Sequence, residues 1–253
     1  MAYAFGAPSI VQDGLVFYVD PANKDSYPGS GTIATDLISG VTGSLINSPS
    51  VEPNNAGVWD FDGTGDVVQF NNSTAVNALT KPAGSFTLGG WFQGGRTSNG
   101  NAEGFGNTGN SGYRGINFGL YPNVAGSSPS TISTLFGIPA SSTSAPYITA
   151  ANVFSYPAPF MYLTGVYDSV NQKMGLYVNG STSNTGGVAL TTSVLGGSVP
   201  SSLFTGGGKP TQIGGRGDGA NYMDQIGPIH MYHRVLSPEE ILQNYNALKG
   251  RFI

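Results

Sequence analysis

Cysteine is absent from the chain, which excludes a disulfide framework and any thiolate metal site. Charge is scarce as well. Charged residues make up 9% of the sequence, against roughly a quarter in ordinary soluble domains, so the surface has to be solvated by neutral polar groups. The basic residues number 10 against 14 acidic ones, for a net charge of −4, and are scattered along the whole length. No cluster can follow a phosphate backbone, so nucleic acid is not an expected partner. No apolar run reaches the roughly 20 residues of a membrane span, and membrane is not expected as a partner either. The first lysine is Lys24, so the opening lacks the basic region of a secretory signal. A soluble protein made in the cytoplasm is the expectation.

What is abundant is small, polar or aromatic. Glycine numbers 39, while apolar residues reach 39% and include 13 Phe and 13 Tyr. That apolar content argues for a packed core and against disorder. At 253 residues, with no fixed-period repeat and no second periodic core, a single large all-β domain is expected.

Met1 to Asp13 is apolar, small and uncharged up to Asp13, with Gly6 and Pro8 against regular structure. It reads as an arm outside the core, able to anchor the domain (14–253) to a partner. LVFYVD follows as a strand with Leu15, Phe17 and Val19 on one face, ended by Asp20-Pro21. WDFDGTGDVVQF (59–70) has the form strand, turn, strand, with Phe61 inward and Asp62-Gly63 in the turn. FTLGGWF (86–92) is the next strand. From Gln93 to Phe160, strand-like pieces (GINFGLY, TISTLFGI, APYITA) alternate with Gly/Ser/Asn/Pro runs. MYLTGVYDSVNQKMGLYVNG (161–180) is the clearest hairpin, turning at Asp168 to Gln172, and Asn179-Gly180 marks the next reversal.

The end of the chain, Ile213 to Arg251, reads as strand, loop, longer strand and the one convincing helix. Ser237 suits the N-cap, Pro238 the first helical position and Glu240 the capping box. Ile241, Leu242, Tyr245 and Leu248 fall on one face, and Gly250 follows as a stop. So short a helix is marginal alone, so its stripe has to dock on a sheet.

The order FDGTGDVV, FTLGGWF, YLTGVYDSVNQKMGLYVNG, IGGR and IGPIHMYHRVLSPEEI resembles the concanavalin A-like lectin/glucanase superfamily, and within it the laminin-G-like domain. The resemblance implies a jelly-roll sandwich of two antiparallel sheets, with first and last strands side by side. Many short strands with frequent turns point independently to the same class. The ending LSPEEILQNYNALKGRF, together with the opening GLVFYVDPAN, is similar to laminin-G-like virion proteins of tailed bacteriophages.

Glycoside hydrolysis requires two facing carboxylates, yet the only i, i+2 acidic pair is Asp60 and Asp62, and Glu239 and Glu240 belong to the helix start. No catalytic residues are assigned and no enzyme is expected. Asp60, Asp62 and Asp66 ring a glycine turn without the spacing or terminal Glu of a helix–loop–helix calcium loop. Calcium is common in laminin-G-like domains, so the resemblance admits it without naming ligands. His230 and His233, at i and i+3 of a strand, face opposite ways and cannot jointly hold a metal. GFGNTG (104–109) lacks the strand–helix surroundings of a dinucleotide site. GGGKPT has Pro where a phosphate loop needs a hydroxyl, and Arg216-Gly217-Asp218 is read as turn chemistry.

Sugars are held by aromatic faces beside hydrogen-bonding side chains, and Arg216, Asp218, Asn221 and Tyr222 form the candidate set. The expectation is a non-enzymatic phage structural protein at the virion surface, as a capsid decoration or a fibre. Its partners would be other virion proteins, sister subunits and host-surface glycans. The alternative is a soluble or surface lectin.

Overall fold

The computed structural model describes residues 9–94, 104–108, 115–122, 131–155, 158–183, 187–205, 209–216 and 222–253. The first strands in chain order are β1 (Leu15–Val19), β2 (Ile33–Thr35), β3 (Thr42–Ile46), β4 (Ser50–Glu52), β5 (Val58–Asp62) and β6 (Val67–Phe70). Then come β7 (Phe86–Phe92), β8 (Phe105–Gly106), β9 (Asn117–Pro122), β10 (Thr131–Gly137) and β11 (Tyr147–Ser155). The last are β12 (Met161–Asp168), β13 (Lys173–Val178), β14 (Val188–Thr191), β15 (Thr211–Ile213) and β16 (Met223–Tyr232). Two helices accompany them, α1 (Thr74–Thr80) and α2 (Pro238–Leu248).

The strands form two antiparallel sheets of eight, so the expected β-sandwich is observed. Sheet A has the order β14-β13-β12-β7-β16-β5-β4, with β1 also on β16; sheet B has the order β11-β10-β9-β8-β15-β6-β3-β2. The first and last strands do pair. Strand β16 meets β5 through residues 223–226 and β1 through residues 229–232. Gly227 and Pro228 fill the junction, where the register with β7 shifts. A proline has no N–H to give a ladder, so a strand accommodates it at such an irregularity.

Alternation along the strands builds the core. One cross-strand row of sheet B is Leu45, Val68, Ile213, Phe105, Phe118, Phe136 and Ile148. All seven belong to the inter-sheet core, with Phe86, Leu88 and Phe92 of β7 opposite. Strand β7 is buried on both faces, because α2 covers its other side.

The helix forms as its sequence dictates. Ser237 and Glu240 complete the capping box, with Pro238 in the first turn. Arg234 adds a fork, donating to both oxygens of Glu240 at 2.8 and 2.6 Å and pairing with Asp13 at 3.0 Å. The buried stripe differs from the expected one: Ile241 and Asn244 are buried while Leu242 is half exposed, against Gly180. Asn244 is drawn in because its amide accepts from Val11 N at 2.7 Å and donates to the Tyr232 hydroxyl at 3.1 Å.

Those bonds also move the start of the domain. Ile10 and Val11 are buried with Leu15, Val166, Tyr232 and Ile241, so residues 10–13 belong to the sandwich and not to an arm. Leu15 is a second correction. A bulge between Leu15 and Phe17 sends Leu15 into the layer under α2, while Phe17 and Val19 enter the core. WDFDGTGDVVQF forms strand, turn, strand as read, with Phe61 buried; β5 lies in sheet A and β6 in sheet B, so the turn crosses between sheets. The 161–180 hairpin forms as read, and Asn179 and Gly180 both take positive φ, 51° and 78°. Helix α1 was not foreseen; Ser73, accepting from Val76 N at 3.2 Å, is its N-cap. Among the described residues no helix is long and apolar enough to cross a membrane.

Candidate functional site

The loop between β15 and β16 holds the sugar-binding residues expected from sequence. Of these, Asp218 and Asn221 lie outside the described residues. Tyr222 is fully buried, its ring edge-on to Phe92 and its hydroxyl donating to the Gln93 carbonyl at 2.9 Å. A ring committed to the core presents no face to a sugar, so Tyr222 is corrected to a structural residue. Arg216 is half-buried and crosses Gly106: a Cβ on Gly106 would lie 3.0 Å from Arg216 Cβ and 2.8 Å from the Ile116 carbonyl. Only glycine permits that approach.

Gly106 belongs to a second cross-strand row of sheet B, one residue out of step with the hydrophobic one. Through the ladders, Ser44, Gln69, Gln212, Gly106, Asn117, Gly137 and Tyr147 stand opposite one another. Because side chains alternate between faces, this row lies on the outer face. The Cβ position of Gly137 is 3.3 Å from Tyr147 Cβ and 3.6 Å from Asn117 Cβ, as neighbours on one face require. Gln69, Gln212, Asn117 and Tyr147 are half-buried. The Gln212 amide donates to Gln69 Oε1 at 2.9 Å, which fixes both side chains. The row is neutral, rich in amides, and ends at an aromatic ring. Sequence reading missed it; the available signal was a glutamine between core residues in both VVQF and TQI.

The acidic turn is a turn. Thr64 N donates to Asp62 Oδ1 at 2.7 Å and Asp62 N to Asp66 Oδ2 at 3.4 Å. Burial raises the carboxyl pKa of Asp66, with the Asp62 charge adding to it. Burial likewise raises that of Asp60, against hydrogen bonding to Gln225. Among the described residues no group of three His, Asp or Glu is placed to hold a metal ion.

The two histidines part company. His230 is fully buried under α2 with Nε2 2.9 Å from the Tyr162 hydroxyl, and burial pushes its pKa down to about 3. His233 is exposed, its Nε2 donating to the Leu79 carbonyl at 2.8 Å. It borders a shallow cavity of about 430 Å³ with Lys81 and Ser85. Lys81 donates to Asn72 Oδ1 and to the Lys209 carbonyl, both at 2.8 Å, so it bridges α1 to the segment entering β15.

No protein-family profile matches the chain, and no curated protein matches it. Its architecture is similar to several solved structures. The binding domain of Paraclostridial Mosquitocidal Protein 1 superposes with a TM-score of 0.64 at 12% identity, over 93% of this chain and 52% of that one. Trypanosoma rangeli sialidase, solved with sialic acid, gives 0.58 at 14%, over 98% and 37%. Domain 4 of a GH43 extracellular arabinanase from Geobacillus stearothermophilus, solved with arabinotriose, gives 0.57 at 11%, over 94% and 99%. The chain thus spans about a third to a half of the first two proteins and nearly all of the arabinanase domain. At these identities the likeness defines a class by fold, the two-sheet β-sandwich.

Proposed function

We propose that this chain is a non-enzymatic carbohydrate-binding β-sandwich. The observation that carries the reading is the outer row of sheet B, where the hydrogen-bonded amides of Gln69 and Gln212, the Asn117 amide, a serine and a tyrosine share one neutral face. Amides offer donor and acceptor together, as a sugar hydroxyl does, and a half-buried ring suits an apolar sugar face. The row contains no carboxylate to act as acid or nucleophile, so binding without turnover is the reading. Arg216, at the row's centre, is proposed as a contributor, and with it Asp218 and Asn221 of the loop that follows. Solved structures of similar fold that hold sialic acid and arabinotriose support this direction. A glycan array probed with the purified chain is the test, and no retained glycan of any class would sink the reading.

A second reading concerns where the sandwich is displayed: on the particle of a tailed phage, held by capsid or tail proteins. Its support is that the opening and ending resembling phage virion proteins are joined in space. Asp20 of GLVFYVDPAN and Arg251 of ALKGRF form an ion pair at 2.8 Å. Residues 1–8, ahead of the buried Ile10, are proposed as the attachment segment. Gold-labelled antibody against the chain should decorate intact particles in the electron microscope, and bare particles would refute the display.

A further inference from the structure

We infer that the occupant of the outer face of sheet B is an extended chain of uncharged sugars lying across the strands, from Gln69 towards Tyr147. The inference rests on the carbohydrate reading above and adds to it a ligand class and a direction.

The direction follows from the ladders. Hydrogen-bonding side chains on this face stand in one line across the strands, on four of the six from β6 to β11, with Gly106 and Gly137 on the other two. Between Gln69 on β6 and Tyr147 on β11 lie five inter-strand steps of about 4.8 Å, or about 24 Å in all. One step is close to the length of one pyranose unit in an extended chain, so successive sugars meet successive strands. A compact monosaccharide would use one or two positions and leave the rest idle.

The class follows from the side chains. Gln69, Gln212, Asn117 and Tyr147 carry no charge, and among the described residues Arg216 is the cation placed against the row, at Gly106. A polymer with a carboxylate or sulfate on every unit would bring about one anion per step and meet a single cation. Hydroxyls, in contrast, find a neutral amide or phenol at several of the steps. Gly137 leaves no side chain between Asn117 and Tyr147, which keeps the line to the ring low. The bond between Gln212 and Gln69 holds both amides before any ligand arrives, which lowers the ordering cost of binding.

The experiment is calorimetric titration of the whole chain with cello- and xylo-oligosaccharides of increasing length, and with oligogalacturonates as the charged comparison. Affinity for a neutral series should rise with length and level off near five or six units, one per inter-strand step of about 4.8 Å. Gln212→Ala and Tyr147→Ala should each weaken it by about tenfold. Gln212→Glu, a change of shape by almost nothing, should weaken it similarly and guards against a misfolded Tyr147 variant. Lys173→Ala, on sheet A, should bind as the parent does. If the parent binds a neutral chain and all three row variants bind equally well, the ligand lies elsewhere and the inference falls while the carbohydrate reading stands. Tighter binding of oligogalacturonate, or affinity independent of length, overturns the class or the direction. Should neither series bind while an array retains another glycan, the inference alone is lost; an array that retains none removes both.

Discussion

Arg251 holds Asp20 with both ends of its guanidinium group, Nη1 to Oδ2 at 2.8 Å and Nη2 to Oδ1 at 3.2 Å. The same side chain donates to the carbonyls of Asn55 and Gly57 at 3.1 Å each. Asp20 in turn accepts from Ala22 N and the Tyr18 hydroxyl. One arginine near the end of the chain therefore ties together the exit of β1 and the entry of β5. The next residue, Phe252, stacks on Trp91 at 4.3 Å and 15°, which seals the outer side of sheet A.

The pair is mostly buried, with side-chain exposures of 19% and 8%. Removing one partner leaves the other charge desolvated, so Arg251→Ala should lower unfolding free energy by about 3 kcal/mol. Arg251→Lys should recover little of it, since an ammonium cannot reproduce the fork. Urea unfolding measures both, and a loss below about 1 kcal/mol would mean that the clasp is ornamental.

Acid should loosen the layer under α2. The folded His230 has its pKa depressed to about 3, whereas the unfolded chain protonates near 6.5. Between those values the unfolded state binds the extra proton, so stability falls as pH falls, by up to about 1.4 kcal/mol per pH unit. His230→Phe should remove this slope between pH 6.5 and about 4.5, above the carboxylate range. Equal slopes for parent and variant would contradict the buried neutral imidazole.

Gly89 lies opposite both Thr164 and His230. A Cβ there would come within 2.3 Å of His230 Cε1 and 2.6 Å of the Tyr162 hydroxyl. Gly89→Ala is expected to cost about 1–3 kcal/mol through displaced rings. A neutral thermal midpoint would show that the polar layer yields easily.

Truncation tests how far the fold reaches towards the N-terminus. The chain without residues 1–8 is the reference, and its thermal midpoint is compared with that of a chain lacking residues 1–12. Removing 1–12 takes away Ile10 and Val11 and orphans the Asn244 amide. At about 1.5–3 kcal/mol for each buried aliphatic side chain, the longer deletion should be destabilised by at least about 3 kcal/mol. Equal midpoints would return residues 10–12 to the arm.

Helix α2 with its preceding segment should also open before the sheets do. Its contact layer includes a buried polar atom without a partner, Trp91 Nε1, which Tyr245 and Phe252 cover. Such an unmet group costs about 1–3 kcal/mol, so amides of α2 should exchange hydrogen faster than those of β7 and β12. Matching protection would refute a separate opening unit.

What could be read from the sequence was whatever is decided within a few residues. The capping box of Ser237 and Glu240, the Asn179-Gly180 reversal and strands such as FTLGGWF depend on local hydrogen bonds and alternation, and all are present. Ser73 as a cap for α1 was of the same local kind and could have been found. The side a strand faces was harder. One bulge at Leu15 reversed its side, and one long-range bond to Val11 drew Asn244 inward in place of Leu242.

Composition and alternation, then, determined a neutral-surfaced all-β sandwich with a docked C-terminal helix, because a burial pattern of period two is written residue by residue. Tertiary structure alone decided which strands became neighbours. The row from Ser44 through Gln69 and Gln212 to Asn117 and Tyr147 is assembled from segments far apart in the chain, and no local rule sets that order. The same holds for Tyr222, which is polar and loop-like in sequence but lies beside Phe92 once the sheets close. Pairing free energy is shared over whole ladders, so the outer face of sheet B exists only when all eight strands are in register.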